Sequence, residues 1–241
     1  MQRSTVTLEP FPTDWKRALV LMAHPDDPEY GTSAAVAEWI TQGKEVSYVL
    51  ATRGEAGIAG LPPQESGPLR EGEQRTACCR VGVDVLEFLD YPDGRLTESL
   101  DLRRDLAAAI RRHRPDGIVT LNHRDTWGPG KWNSEDHRAL GRSVLNAVAD
   151  AANEWIFPDL EGPRHEVKWT AILSMNPTHA VQVSEESIEK AILSLAAHSR
   201  YLQALDSRPV EEQATEQVRW ATSRNSGDSG TPAVGFELYG L

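Results

Sequence analysis

Short apolar runs alternate with longer stretches of mixed apolar and polar residues through the first half of the chain. The runs are rich in Val, Ile and Leu, which is typical of strands that are buried on both faces of a sheet. The stretches between them have the length and the apolar spacing of helices that bury one side. We predict strands at 18–23, 46–51, 85–89 and 117–121, and helices at 32–42, 68–81 and 99–113.

This order of strands and helices predicts an α/β fold with a mostly parallel sheet and helices on both faces. Gly43 after the first helix and Pro115 after the third suit helix ends, because proline cannot continue a helix and glycine tolerates the left-handed conformation. Ser134 or Asn133 is expected to cap a later helix. Farther along, helices are predicted at 135–153 and 185–205, and strands at 169–175 and 180–183.

Length and composition favour one folded domain. The 241 residues are 39% apolar and 25% charged, which is typical of a globular protein of this size. We expect residues 1–241 to form a single domain with an N-terminal extension at 1–15 and a C-terminal tail at 219–241. No apolar run approaches the roughly 18 residues of a membrane span, and the N-terminal residues lack a signal-peptide core, so a cytoplasmic protein is expected.

The charge balance restricts the class of partner. A formal net charge of -11 argues against nucleic acid and against an anionic membrane surface, since both would be repelled at neutral pH. The two cysteines, Cys78 and Cys79, are adjacent in a predicted helix and provide neither a disulfide framework nor a CxxC metal pair. These features favour a small-molecule substrate, and they leave the oligomeric state open, a homo-oligomer included.

Polar segments follow each of the first four predicted strands. In a parallel sheet such segments gather at one edge, where α/β proteins bind their ligands. We therefore expect them to line one cleft. The segments are 24–31, 52–67, 90–95 and 122–137.

The first of these segments begins with His24-Pro25-Asp26-Asp27. His24 and Asp27 are three residues apart and can bind one divalent metal, while Asp26 is left free to handle a proton. The alternative is an ordinary turn, because Pro25 and the Asp pair suit a turn and Asp27 can cap a helix. Taken alone, the motif leaves both interpretations open.

A third ligand is expected from another strand end, and His137 is the best candidate. Two His and one Asp with a fourth position for water is the pattern of a catalytic zinc site, although ferrous iron accepts the same donors. Asp136 can then orient a ligating imidazole. The alternative is that Asp136 and His137 are exposed residues at a helix N-terminus, where the dipole favours the carboxylate.

Further motifs follow in a fixed order along the chain. They are H-P-D-D at 24–27, E-Y-G at 29–31, T-R-G-E-A-G at 52–57, Arg70 with Glu73, Y-P-D-G at 91–94, R-P-D at 114–116, D-H-R at 136–138, T-H-A-V at 178–181 and A-H at 197–198. This series resembles the PIG-L/LmbE family of zinc-dependent N-deacetylases. The resemblance runs from about Leu19 to Leu205, which is most of the chain.

The resemblance implies a Rossmann-like fold and hydrolysis of an acetamide, usually N-acetyl on the glucosamine unit of a small sugar conjugate. It implies that His24, Asp27 and His137 bind the metal and that Asp26 is the general base. These roles agree with the residue chemistry, because a zinc-bound water loses its proton near neutral pH and needs a proton acceptor. The sequence does not identify the acylated substrate.

The resemblance also assigns residues around the reacting centre. It implies that His179 stabilises the oxyanion, that Arg70 holds the substrate and that Asp93 binds sugar hydroxyls. Each has an ordinary structural explanation as well. His179 can flank a strand and bond to a loop, Arg70 can pair with a nearby glutamate on its helix, and an Asp before Gly is common in turns.

One position departs from the family pattern. Many members have His-Pro-Asp-His where this chain has Ser134-Glu135-Asp136-His137, and the first of those His residues is the proposed general acid. Serine cannot shuttle a proton in the same way at neutral pH. The general acid is either absent or replaced by Glu135, Asp125 or His123, or Asp26 acts first as the base and then as the acid. If it is absent, the chain is a non-catalytic metal- or sugar-binding member of the family.

Overall fold

The computed structural model describes residues 8–225 and 230–240, and within them eight strands form one sheet. The order of these strands across the sheet is β1-β9-β10-β8-β5-β2-β3-β4, and β6 and β7 form a separate hairpin. The strands are β1 (Glu9–Pro10), β2 (Arg17–Met22), β3 (Glu45–Leu50), β4 (Val85–Phe88), β5 (Gly117–Thr120), β6 (Thr126–Gly128), β7 (Lys131–Trp132), β8 (Trp169–Leu173), β9 (His179–Gln182) and β10 (Ala233–Gly240).

Most of the sheet is parallel, as predicted. β2 pairs in parallel with β3 and β5, β3 with β4, and β5 with β8. β10 runs antiparallel between β8 and β9. Leu19, Val20 and Leu21 of β2 are fully buried, because a central parallel strand is covered on both faces. The predicted α/β fold is confirmed.

The helices cover both faces of this sheet. The connections from β2 to β3 and from β3 to β4 step across the sheet in one direction. The connections from β4 to β5 and from β5 to β8 step in the opposite direction. Because right-handed crossovers are the rule, the helices of these two groups of connections lie on opposite faces of the sheet. Accordingly, α4 packs on α5, and α6 packs on α2, α3 and α8. The helices are α1 (Asp27–Gly31), α2 (Ser33–Thr41), α3 (Pro63–Val81), α4 (Leu100–His113), α5 (Glu135–Ala152), α6 (Glu185–Ala196), α7 (Ser199–Leu205) and α8 (Val210–Ser223).

No helix in residues 8–225 and 230–240 is both long and apolar enough to cross a membrane. Two predicted helices differ from the observed ones. α3 begins at Pro63 and not at 68, because proline fits the first turn of a helix, where its missing N–H is not needed. The predicted helix 185–205 is divided into α6 and α7 at Ala197 and His198.

Parts of the expected extension and tail belong to the sheet. Residues 9–10 form β1 against β9, and residues 233–240 form β10 between β8 and β9. The signal for β10 is the alternation of Val234, Phe236 and Leu238 with other residues. Residues 1–7, 226–229 and 241 of the two segments lie outside the described residues.

The amino end of the sheet is packed around one aromatic side chain. Trp169 starts β8 and lies beside Gly117 of β5, and its ring meets Phe11 and Trp15 edge-on at centroid distances of 5.0 Å and 5.4 Å. A Cβ atom on Gly117 would be 2.0 Å from Trp169 Cε2. Glycine is therefore required at 117 by the space that the indole fills.

We expect Gly117→Ala to lower the free energy of unfolding by about 1–3 kcal/mol, because the added methyl group overpacks the core. Denaturant unfolding measures this change. The matched control is Gly72→Ala on α3, where a Cβ meets no atom within 4 Å. Alanine there is expected to stabilise the protein by up to about 1 kcal/mol. Equal effects of the two substitutions would contradict the packing explanation.

Candidate metal-binding active site

The carboxyl ends of the central strands open into one cavity of about 470 Å³. β2 leads directly into His24, Asp26 and Asp27, the turn after β4 contributes Asp93, and the N-terminus of α5 contributes His137. These residues are far apart in sequence and meet because parallel strands end at the same edge of a sheet. The lining residues are His24, Asp26, Asp27, Tyr30, Gly57, Arg70, Asp93, Leu121, Trp127, Ser134, His137, Leu173 and Tyr201.

The 24–27 segment is both a turn and the start of a helix. Asp26 has a left-handed backbone, with φ 86°, and its carbonyl accepts hydrogen bonds from the amides of Glu29 and Tyr30. Asp27 does not cap α1 with its side chain. Its Oδ2 instead accepts from the amides of Ala23 and His24, at 3.1 Å and 2.7 Å. The turn thus fixes the Asp27 carboxylate.

Three side chains form a group that can hold a metal: His24, Asp27 and His137. His24 Nδ1 lies 3.3 Å from Asp27 Oδ2, and His137 Nε2 lies 3.1 Å from Asp27 Oδ1. Ligands at zinc bond lengths in a tetrahedron are about 3.3 Å apart. Both distances are close to that value, and one ligand atom from each of the three side chains lies within 4.8 Å of the others.

The remaining nitrogen of each imidazole has its own partner. His24 Nε2 lies 3.0 Å from Asp136 Oδ2 and 3.1 Å from Asp93 Oδ1. His137 Nδ1 lies 3.2 Å from Asn133 Oδ1. Such partners fix the ring orientation and the tautomer of a metal-binding His. They leave Nδ1 of His24 and Nε2 of His137 directed at Asp27.

His24, Asp93 and Asp136 also form a second group of potential ligands. Asp136 is already bonded to backbone amides, those of Gly94 at 2.7 Å and Leu96 at 3.0 Å. Because these bonds occupy both of its oxygens, Asp136 is better suited to hold His24 than to bind an ion directly.

Burial and neighbouring charges alter the pKa values of His24 and Asp27. Burial lowers the pKa of His24, but Asp27, Asp136 and Asp93 outweigh burial and raise that pKa well above its ordinary value. Burial raises the pKa of Asp27, but His137 and His24 outweigh it and hold that pKa far below the ordinary range. The two imidazoles thus hold Asp27 in its ionised form.

Arg70 contacts the protein and not open solvent. It is 2% exposed, and Nη2 donates to Asp26 Oδ1 at 2.9 Å and to the Pro25 carbonyl at 2.6 Å. Its Nη1 donates to the Gly54 carbonyl at 2.8 Å, and its guanidinium lies over the Tyr201 ring at 4.0 Å. Arg70 lines the cavity, as a substrate-binding residue would, but its observed partner is Asp26 and not a glutamate on its own helix.

Asp26 is buried beside this guanidinium. Burial raises the pKa of Asp26 to about 6, although Arg70 acts in the opposite direction. The Asp26 amide donates to Gln74 Oε1 at 3.0 Å, and Gln74 lies one helical turn from Arg70 on α3. Arg70 and Gln74 together hold Asp26 in its left-handed conformation.

The structure does not bring His179 to the cavity. His179 begins β9, which is four positions from β2 in the strand order, on the order of 19 Å at the usual spacing of strands. Its Nδ1 lies 2.9 Å from Thr178 Oγ1. His179 flanks β9 and does not line the cavity, and its role in stabilising an oxyanion stays a prediction.

Ser134 occupies the position where a histidine is common in the family. It lines the cavity, and its Oγ accepts a hydrogen bond from the His137 amide at 3.2 Å, so it is the N-cap of α5. The three suggested substitutes do not line the cavity. Glu135 pairs with Arg138, Asp125 pairs with Arg142, and His123 faces Tyr239.

Sequence reasoning missed two supporting residues. Gln74 is four residues from Arg70, a spacing that puts both on one helix face, and this signal was available. Asn133 was considered only as a helix cap, yet it is fully buried and donates to the carbonyls of Asn122 and Arg124 while facing His137. No short-range pattern distinguishes such an asparagine from a cap.

Comparison with known proteins identifies the family. The family model described as PIG-L, GlcNAc-PI de-N-acetylase, matches residues 19–148, which is more than half of the chain. The chain belongs to the PIG-L family. All of the residues that the resemblance assigned to the metal and to the general base lie inside the matched PIG-L region.

Relatives with known names share part of this chain. A diacetylchitobiose deacetylase of Thermococcus kodakarensis is 31% identical over 145 residues, covering 59% of this chain and 52% of the relative. A 1D-myo-inositol 2-acetamido-2-deoxy-alpha-D-glucopyranoside deacetylase of Kineococcus radiotolerans is 40% identical over 172 residues. This match covers 58% of this chain and 46% of the relative. The chain thus spans about half the length of these relatives.

Solved structures share nearly the whole fold. N,N'-diacetylchitobiose deacetylase from Pyrococcus horikoshii has a TM-score of 0.82 at 24% identity and covers 94% of this chain and 85% of that one. GalB, the 4-carboxy-2-hydroxymuconate hydratase from Pseudomonas putida, has a TM-score of 0.67 at 18% identity. The match covers 94% of this chain and 97% of GalB. A deacetylase and a hydratase on one fold show that the fold alone does not decide the reaction.

We expect Arg70→Gln to lower the free energy of unfolding by about 3 kcal/mol, because it leaves the Asp26 carboxyl buried without its partner. The matched control is Arg75→Gln on the same helix, where the guanidinium is exposed and pairs with Glu71. Its expected effect is below about 1 kcal/mol. Denaturant unfolding of both variants measures the difference, and similar effects would show that the Arg70 pair does not stabilise the fold.

Proposed function

We propose that this protein is a metal-dependent hydrolase that removes the acetyl group from the amide of a small amino-sugar conjugate. The observation that carries the proposal is the gathering of His24, Asp27 and His137 around one point, with Asp26 in the same cavity. The names of the relatives, which act on diacetylchitobiose and on an acetamido-glucopyranoside of inositol, support this substrate class.

His24, Asp27 and His137 would hold the metal, and the two-nitrogen, one-carboxylate donor set suits zinc or ferrous iron. A divalent metal at such a site supplies Lewis acidity, which polarises a carbonyl and makes water acidic enough to lose a proton near neutral pH. Asp136, Asp93 and Asn133 would orient the two imidazoles from behind.

Asp26 would take the proton from the attacking water. Arg70 occupies its Oδ1, so the proton would go to Oδ2. Asp26 Oδ1 accepts from Arg70, whereas the Asp27 oxygens face the two imidazoles and two backbone amides, so the adjacent residues would serve different purposes. This separation is the reason why two consecutive Asp residues do not compete for the metal.

Asp26 would also return the proton to the leaving amine. Ser134 caps α5, and Glu135, Asp125 and His123 do not line the cavity, so they are poorly placed to donate. A carboxylic acid that has just accepted a proton is a competent donor to an amine. Asp93, whose Oδ2 accepts from the Ala56 amide at 2.8 Å, lines the cavity and is proposed to contact sugar hydroxyls.

We expect His24→Ala to lose the bound metal and with it the release of acetate, because two donors hold zinc far more weakly than three. Metal content by plasma emission spectrometry and acetate release from N,N'-diacetylchitobiose measure the two losses. His179→Ala is the control, since His179 does not line the cavity. It is expected to keep its metal. Full metal content in the His24 variant would exclude the proposed ligand set.

We expect Asp26→Asn to retain the metal while turnover falls about 10²–10⁴-fold, because the variant lacks the proton acceptor, although its amide oxygen can still accept the hydrogen bond from Arg70 Nη2. Asparagine tolerates the left-handed backbone at 26, so the fold should be preserved. Asp84→Asn, at an exposed position, is the control. Near-normal turnover in the Asp26 variant would rule out Asp26 as the base. Metal binding without acetate release in the unaltered protein would favour the non-catalytic alternative.

A further inference from the structure

A second cavity of about 300 Å³ adjoins the candidate metal site. Tyr30, Trp127 and Leu173 line both cavities, so the two lie side by side with these three side chains at their boundary. Trp127 meets the His137 ring edge-on at 6.1 Å and stands between the candidate ligands and the second cavity. We call this second cavity the α8 groove, since Trp220, Ala221 and Arg224 at the end of α8 form its far side.

The walls of the α8 groove are mostly apolar. Leu173 lines both the groove and the metal site, and it fits there because residue 31 is glycine: a Cβ on Gly31 would be 2.6 Å from Leu173 Cδ2. Trp220 is 48% exposed and lines the groove, where its ring is accessible to a ligand. The groove thus offers flat apolar surface directly beside the place where an acetamide would react.

The charge of the α8 groove is opposite to that of the protein. The chain has 36 acidic and 25 basic residues, yet the groove is lined by Lys131 and Arg224 and by no carboxylate of the described residues. Neither cation has a salt-bridge partner within residues 8–225 and 230–240. Arg224 lies over the Trp220 ring at 4.8 Å and donates to Met175 Sδ, which is a weak acceptor.

We propose that the α8 groove binds an apolar group carrying a carboxylate or a phosphate, attached to the amino sugar whose acetamide lies at the metal site. This inference rests on the proposed function and specifies its substrate class. The apolar part would lie against Trp220, Trp127 and Leu173, and the anion would lie between Lys131 and Arg224. The carboxylates of the metal site would repel such an anion, which keeps it in the groove.

The test compares N-acetylglucosaminides that differ in the para substituent of a phenyl group. We expect the para-carboxyphenyl and para-phosphophenyl conjugates to have kcat/KM values about tenfold above that of the para-carbamoylphenyl conjugate, which has the shape of the carboxylate and no charge. The ratio of the two anionic conjugates distinguishes carboxylate from phosphate as the preferred anion. The preference should fall as salt is added, because both cations are exposed.

Substitutions of Lys131 and Arg224 test whether these two cations cause the preference for anionic conjugates. Arg224→Gln and Lys131→Gln are each expected to lower the preference about threefold, and the double variant should abolish it. Arg224→Lys should retain most of it, because the charge remains. Arg219→Gln is the matched control on the same helix, since its guanidinium pairs with Glu185, and the full preference should persist.

Binding is measured separately, by tryptophan fluorescence titration with the corresponding glucosaminides, so that the result does not depend on turnover. An Arg224-dependent preference in binding without acetate release would support the groove and overturn the deacetylase proposal. Acetate release with equal kcat/KM for charged and uncharged conjugates would overturn the groove and leave the deacetylase. A preference for the charged conjugates that survives in the double variant would also overturn the groove proposal.

Discussion

The buried carboxylate of Asp27 is the feature on which the rest of the site depends. An ionised carboxylate cannot be buried without compensation, and here two backbone amides and two imidazoles provide it. Those partners come from the end of β2 and from the start of α5, so the charge on Asp27 ties together two elements that are remote in sequence. A bound cation would replace the imidazole protons as its counter-charge.

The sheet topology explains why the site lies where it does. From β2 the chain continues to β3 on one side, and from β5, which lies on the other side of β2, it continues outward to β8. The order in which strands are added to the sheet therefore reverses between β2 and β5. Loops on the two sides of such a reversal separate and leave a crevice at the carboxyl ends of the strands. His24 enters this crevice after β2, and His137 enters it after β5.

The fold and the metal-site residues were predictable because their signals are local. Apolar runs define β2 to β5, and the H-P-D-D motif lies directly after one of them. The place of His179 in the sheet was not predictable, because the order of β8, β9 and β10 depends on pairing between distant segments. The partner of Arg70 was unpredictable for a related reason, since only the folded chain brings residues 26 and 70 together.

The proposed chemistry and the proposed substrate choice draw on overlapping parts of the chain. The candidate ligands and Asp26 lie within residues 19–148, the region that the PIG-L family model matches. Trp127 and Lys131 of the α8 groove lie in the same region, whereas Leu173, Trp220 and Arg224 lie beyond it. The Asp27 oxygens bond to the Ala23 and His24 amides and face two imidazoles, so substitutions at Leu173, Trp220 or Arg224 would leave these partners in place. Because most substitutions at a buried ion-paired site are costly, substrate choice would change more readily at these three groove positions than among the candidate ligands.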